Sequence, residues 1–164
     1  MWLSKRRTFL AMLSAAALSG CGFTPAFAPD GAAAGLMGSV QATAPETRND
    51  QHFVHQIESR LGRTNSPRYT LDYTLSVNEE RMAITSSNIT TRFNLVGEAD
   101  YALRDSDTGQ TLTQGKVSQF TGYSASGTTV ATLSAERQAH ERLSQILANL
   151  VVTKLIAAAA DLPR

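Results

Sequence analysis

Tyr69-Thr70-Leu71-Asp72-Tyr73-Thr74-Leu75-Ser76-Val77 alternates large apolar side chains with polar ones at every step. A period of two places all the apolar residues on one face of an extended chain, so the stretch predicts a strand half-buried against a core, extended by the segment through Met82 and Ile84. A second alternating run follows in Phe93, Leu95, Gly97, Ala99, Tyr101 and Leu103. Arg104-Asp105-Ser106-Asp107-Thr108-Gly109-Gln110 then supplies turn chemistry, with aspartates that bond their own backbone and a glycine able to take unusual dihedrals. The return strand covers Thr111 to about Tyr123, and its phase changes between Val117 and Phe120, which predicts a bulge or twist there.

On either side of these strands the period becomes helical. Upstream, Gly38 to Ala44 predicts a short first strand with Val40 and Ala42 on one face. Asn49 or Asp50 can cap a helix carrying Phe53, Val54, Ile57 and Leu61 at helical spacing, closed by Gly62. Downstream, Thr132 or Ser134 can cap a long helix whose stripe holds Ala135, Ala139, Leu143, Ile146, Leu147, Leu150, Val151 and Leu155, ending before Pro163. The order is strand, helix, three strands, helix. Two amphipathic helices then cover one face of a four-stranded sheet, an α+β two-layer sandwich. Its other face carries Thr70, Asp72, Thr74, Arg92, Asn94, Glu98 and Asp100 and is open to a partner.

The N-terminus reads as an export signal. Lys5, Arg6 and Arg7 precede the apolar run Phe9 to Leu18, of the length of a signal core and too short to span a bilayer. Leu18-Ser19-Gly20-Cys21 closes it as a lipobox: a branched residue, two small residues that fit a narrow protease site, and a thiol that takes the lipid. Residues 1–20 are therefore expected to be removed, leaving Cys21 as a lipidated first residue. The arginine pair fits both general and twin-arginine export. Gly22, rather than aspartate, follows the cysteine, a pattern that points to the outer membrane. Residues 21–37, rich in Gly, Ala and Pro, read as a lipidated N-terminus and flexible tether, and residues 38–164 as one domain.

Cys21 is the only cysteine of the 164 residues, so no disulfide framework competes for it. Loss of the signal leaves 12 basic against 14 acidic residues, a net charge of about −2. That balance gives no reason to expect nucleic acid or bulk attraction to an anionic membrane. Attachment to the membrane falls to the lipid, each buried methylene contributing about 0.8 kcal/mol.

The sequence offers no catalytic set. His52 and His55 are half of a metal site that nothing nearby completes, since His140 is on another element, and they read as solvated helix residues. Glu79-Glu80 and Asp105/Asp107 are carboxylate pairs in segments that read as turns, where they cap backbone. No phosphate-cradling loop, nucleophile elbow or His-Glu-x-x-His is present, so neither metal nor cofactor is expected. Tyr69, Tyr73, Phe93, Tyr101, Phe120 and Tyr123 either line a lipid groove between sheet and helices or pack as core and cross-strand pairs.

Cys21-Gly22-Phe23-Thr24-Pro25, the run Phe93-Asn94-Leu95-Val96-Gly97-Glu98-Ala99-Asp100-Tyr101-Ala102-Leu103-Arg104-Asp105, Thr108-Gly109, Gly115, Phe120 to Tyr123, and the alanine-rich last helix with Leu143, Ile146 and Leu150 resemble the lipopolysaccharide-assembly lipoprotein family LptE, in its short alphaproteobacterial form. The resemblance implies two helices on a four-stranded sheet and no enzymatic activity. It implies an outer-membrane lipoprotein, facing the periplasm, that sits as plug and assembly factor in the β-barrel LptD and helps deliver lipopolysaccharide to the surface. It also implies basic side chains for lipopolysaccharide; Arg81 and Arg92, near strand ends, are the candidates, each also readable as a solvated surface residue. A lipid-binding auxiliary lipoprotein of an envelope transporter is the alternative.

Overall fold

The computed structural model describes residues 31–84 and 90–162. The expected signal, Cys21 and the tether up to residue 30 lie outside the described residues. The strands are β1 (Val40–Ala42), β2 (Tyr69–Ile84), β3 (Thr90–Asp105) and β4 (Thr111–Ser124), and the helices α1 (Arg48–Leu61) and α2 (Thr129–Ala158). They form one sheet in the order β1-β2-β3-β4. β1 runs parallel to β2, joined through α1, and the other pairs are antiparallel. Both helices pack on one face, giving the expected α+β two-layer sandwich.

The alternation that announces the strands also builds the core. Odd-numbered residues face the helices: Leu71, Leu95, Ala99 and Leu103 have no exposed surface, and the residue paired with each belongs to the same face. The helices answer with Phe53, Ile57, Leu61, Leu143, Leu147 and Leu155, all nearly or fully buried. α2 is long and apolar enough to cross a membrane by length and composition, yet the described structure uses its stripe for this core. α2 lies tight against the sheet at Gly97, where an added methyl carbon would lie 2.9 Å from Leu143 and 3.0 Å from Leu147. A side chain there would hold α2 off the sheet.

Several boundaries differ from expectation. α1 begins two or three residues earlier than Asn49 or Asp50 would make it: Thr47 is the cap, its hydroxyl accepting from the Asp50 N–H at 3.2 Å while Asp50 accepts from the Thr47 N–H at 2.8 Å. This reciprocal pair satisfies two of the donors that a helix start leaves open. α2 is capped by Thr128 rather than Thr132 or Ser134, because its first turn exposes Val130 and Leu133 and so carries no inward stripe to be read. The segment read as tether ends earlier than residue 37: Ala32–Gly35 form a 3₁₀ turn, and Leu36 is fully buried. Closing Leu36 over the core contributes about 1.5–3 kcal/mol toward holding the turn on the domain.

Of the bulge or twist expected between Val117 and Phe120, the bulge is absent. Pairing runs without a shift from Ala99↔Val117 to Val96↔Phe120, so Phe120 lies on the even-numbered track and faces away from the helices, 64% exposed. Register shifts fall instead at Leu103/Arg104 and around Met82 to Ala83. Glu79 and Glu80 belong to β2, not to a turn.

Candidate functional site

With the helices on one side, the even-numbered residues of β2, β3 and β4 form a face on which no described element packs. Period-two alternation selects its chemistry: Asp72, Thr74 and Ser76 from β2, Asn94, Glu98 and Asp100 from β3, Gln114, Lys116 and Ser118 from β4. These charges are cross-linked rather than scattered. Lys116 stands opposite Asp100 and donates to Glu98 Oε2 at 3.1 Å, with Asp100 Oδ2 at 3.5 Å. The hydrogen bond to Glu98, then the charge of Asp100, raises the Lys116 ammonium above its ordinary pKa. Arg104 Nε donates to Asp72 Oδ2 at 2.7 Å, and the Thr43 hydroxyl donates to the other carboxylate oxygen at 2.9 Å. A shallow depression of about 500 Å³ lies among Asp72, Thr74, Asp100, Gln114 and Lys116. Next to this lattice, Phe120 and its half-buried cross-strand partner Val96 add apolar surface.

Such a face suits a protein surface better than a reaction. Its ion pairs are exposed, so each holds side chains in place more than it stabilises the fold. They fix a pattern of alternating charge, which supports orientation of a partner.

Arg81 and Arg92 are both exposed and sit at one end of the sheet, but the structure does not bring them together. Arg81 pairs with Phe93, which stacks on Tyr123 at 5.1 Å on the helix side, whereas Arg92 precedes Phe93 and therefore points to the open face. Beside Arg81's track, Glu79 accepts from the Tyr123 hydroxyl at 2.7 Å; burial and then this carboxylate keep that hydroxyl protonated well above its ordinary range.

The histidines do not converge. His52 Nδ1 is 4.0 Å from Glu141, His140 Nδ1 is 3.3 Å from the Asn49 amide, and His55 is exposed. Among the described residues no group of three potential ligands is close enough for a metal ion. Asp105 serves the hairpin as expected, accepting from the Thr108 N–H at 2.8 Å and its hydroxyl at 2.9 Å, and these bonds lower its pKa. Of the aromatic residues, Tyr69, Tyr101 and Tyr123 are core and Phe93 stacks on Tyr123 across the strands, whereas Phe120 is on the open face, in neither a groove under the helices nor the core. Sequence reading missed Lys116 and Phe120 as members of this surface. The signal was available in the unbroken even-numbered track of β4.

The chain matches the family model described as LptE, lipopolysaccharide-assembly, over residues 37–155. It is similar to the crystal structure of a putative lipoprotein from Caulobacter crescentus CB15, with 27% identity, a TM-score of 0.64, and coverage of 81% of this chain and 98% of that one. It shares its fold with the rare lipoprotein B from Shewanella oneidensis, at 9% identity and TM-score 0.58 over 75% of this chain and 96% of that one. A minor lipoprotein from Acinetobacter baumannii gives 13% identity and TM-score 0.51 over 76% and 92%. No curated protein matches.

Proposed function

The chain belongs to the LptE lipopolysaccharide-assembly family, and on that premise we propose that it is an outer-membrane lipoprotein that partners the barrel LptD as plug and assembly factor. The observation that carries this reading is the family match over residues 37–155, which takes in all four strands and both helices almost entirely. In this reading residues 1–20 direct export, and Cys21 carries the acyl chains that hold the domain at the periplasmic side of the outer membrane. Several such chains give firm anchoring where one would be marginal. The domain then works by occupying space and presenting surface, without catalysis.

The open sheet face supports this role. A plug must meet a largely polar barrel interior, and a lattice of paired charges with Phe120 beside it meets such a wall without burying unpaired ions. For lipopolysaccharide we assign Arg81 and Arg92, whose guanidinium groups suit anionic oxygens. Purification of the lipidated protein from native envelopes tests the reading: a large β-barrel protein is expected in stoichiometric amount. The double substitution Arg81→Ala/Arg92→Ala is expected to lower the lipopolysaccharide carried by that complex while leaving it assembled. Recovery of the lipoprotein with phospholipid and no barrel protein overturns the proposal.

A further inference from the structure

The two edges of the sheet are finished differently. At the β4 edge the backbone groups of even-numbered residues point outward, and toward the strand's end side chains take two of them: Gln119 Oε1 accepts from the Phe120 N–H at 3.0 Å, and Arg142 donates to the Gly122 carbonyl at 3.3 Å. Lys116 stands in the middle of the same strand, a charge of the kind that blunts natural edges. At the other edge, β1 pairs only with Tyr69, Thr70 and Leu71, and the last bond runs from the Thr43 N–H to the Leu71 carbonyl at 3.0 Å. Backbone groups alternate in direction along a strand. Those of Tyr73, Leu75, Val77 and Glu79 therefore point to β1's side, where no described strand continues.

Past Thr43 the chain leaves this edge for the start of α1, and a groove of about 540 Å³ opens between them, lined by Glu46, Asp50, Tyr73, Leu75 and Val77 among others. Its floor is apolar, with Leu75 and Val77 half-buried. Its rim is acidic. Burial, then the charges of Asp50 and Glu46, push the Tyr73 hydroxyl up to about 12.

We propose that the Tyr73–Glu79 edge of β2 docks an extended segment of a partner polypeptide, added as a strand on β1's track, with apolar side chains over Leu75 and Val77 and a lysine or arginine against Glu46 and Asp50. N–H and C=O groups without a strand partner among the described residues supply the affinity common to strand addition, and the flanking groove supplies selection. A second copy of this chain is the wrong occupant. Its own edge brings Glu79, with Glu46 and Asp50 close by, against the same carboxylates, and like charges across a ladder destabilise it. The inference holds whichever envelope protein supplies the segment.

The probe is a synthetic peptide that alternates threonine with valine and lysine, compared with its glutamate counterpart, on the full lipidated protein in detergent. At saturation the lysine peptide is expected to slow amide hydrogen exchange of Leu75, Val77 and Glu79 at least tenfold, leaving Lys116 and Ser118 of β4 unchanged. The glutamate peptide is expected to bind at least tenfold more weakly. Val77→Pro removes an outward N–H without removing a bond to β3, so it is expected to weaken binding at least tenfold with the circular dichroism of the fold retained. Absence of protection on β2, protection on β4 instead, equal affinity for both peptides, or protection in a peptide-free dimer each overturns the proposal. Should Val77→Pro fail to fold, the contrast between lysine and glutamate peptides decides alone.

Discussion

The two faces of this sheet are written in the same strands and have opposite physics. Along β3 the odd-numbered residues Leu95, Gly97, Ala99, Tyr101 and Leu103 are buried under the helices, while the even-numbered Asn94, Val96, Glu98, Asp100 and Arg104 are half-buried or exposed. On the covered face the stabilising quantity is apolar area removed from water, which is large and indifferent to partner. On the open face it is pairing of exposed charges, which contributes little to folding and much to orientation. The difference teaches that stability and recognition can be changed separately here, one residue apart.

The sharpest way to break the covered face is Leu143→Ala. Leu143 is fully buried on α2 where that helix lies against Gly97, so its loss leaves a cavity that the rigid sheet cannot close. Destabilisation of about 2–5 kcal/mol is expected from denaturant unfolding monitored by circular dichroism. A loss under about 1 kcal/mol would mean that α2 is not seated on the sheet as described.

The opposite error at the same contact is smaller. Gly97→Ala places a methyl 2.9 to 3.0 Å from Leu143 and Leu147, both buried among core side chains that must give way. Overpacking costs about 1–3 kcal/mol, partly offset by about 0.4–1 kcal/mol from the reduced freedom of the unfolded chain. A net loss near 1 kcal/mol is expected. Combined with Leu143→Ala the methyl has room, so the double variant is expected to be less destabilised than the two single losses added together. Strict additivity in a double-mutant cycle would contradict the contact.

The covered face was legible in the sequence because burial imposes a period, and Leu71, Leu95, Leu103 and Leu143 carry it. The failures fall where no inward side chain marks the element. The first turn of α2 presents Val130 and Leu133 to solvent, so the helix seemed to begin later. Leu36 lies in an alanine-rich stretch without a period, so its burial was invisible. Phe120 differs for the converse reason: the change of phase between it and Val117 reads as a bulge or twist only if both side chains face inward, and in the unbroken pairing Phe120 faces out. For the candidate surface, the sequence showed polarity at Asp72, Glu98 and Asp100 but not that Lys116 ties two of those carboxylates together, since pairing across strands depends on register. Arg81 and Arg92 are alike in sequence in lying near strand ends, but Arg81 pairs with Phe93 and Arg92 is its neighbour in the strand, so alternation puts the two arginines on opposite faces.

The smallest effect on folding is expected where the effect on function should be large. Phe120 is 64% exposed on the open face, and no helix rests on it. Phe120→Ser therefore removes apolar surface that water already wets, and stability is expected to stay within about 0.5 kcal/mol of the unchanged protein. If that face meets the barrel, however, the same side chain is an aromatic anchor at an interface, the class of residue whose truncation costs most in binding. Recovery of the barrel protein with the lipoprotein should then fall several-fold while the unfolding midpoint stays put. Unchanged recovery would place the partner elsewhere, on the helices or at the sheet edges. A shift in the midpoint as large as that of Gly97→Ala would show that the open face carries folding energy after all, and the separation between the two faces would fail.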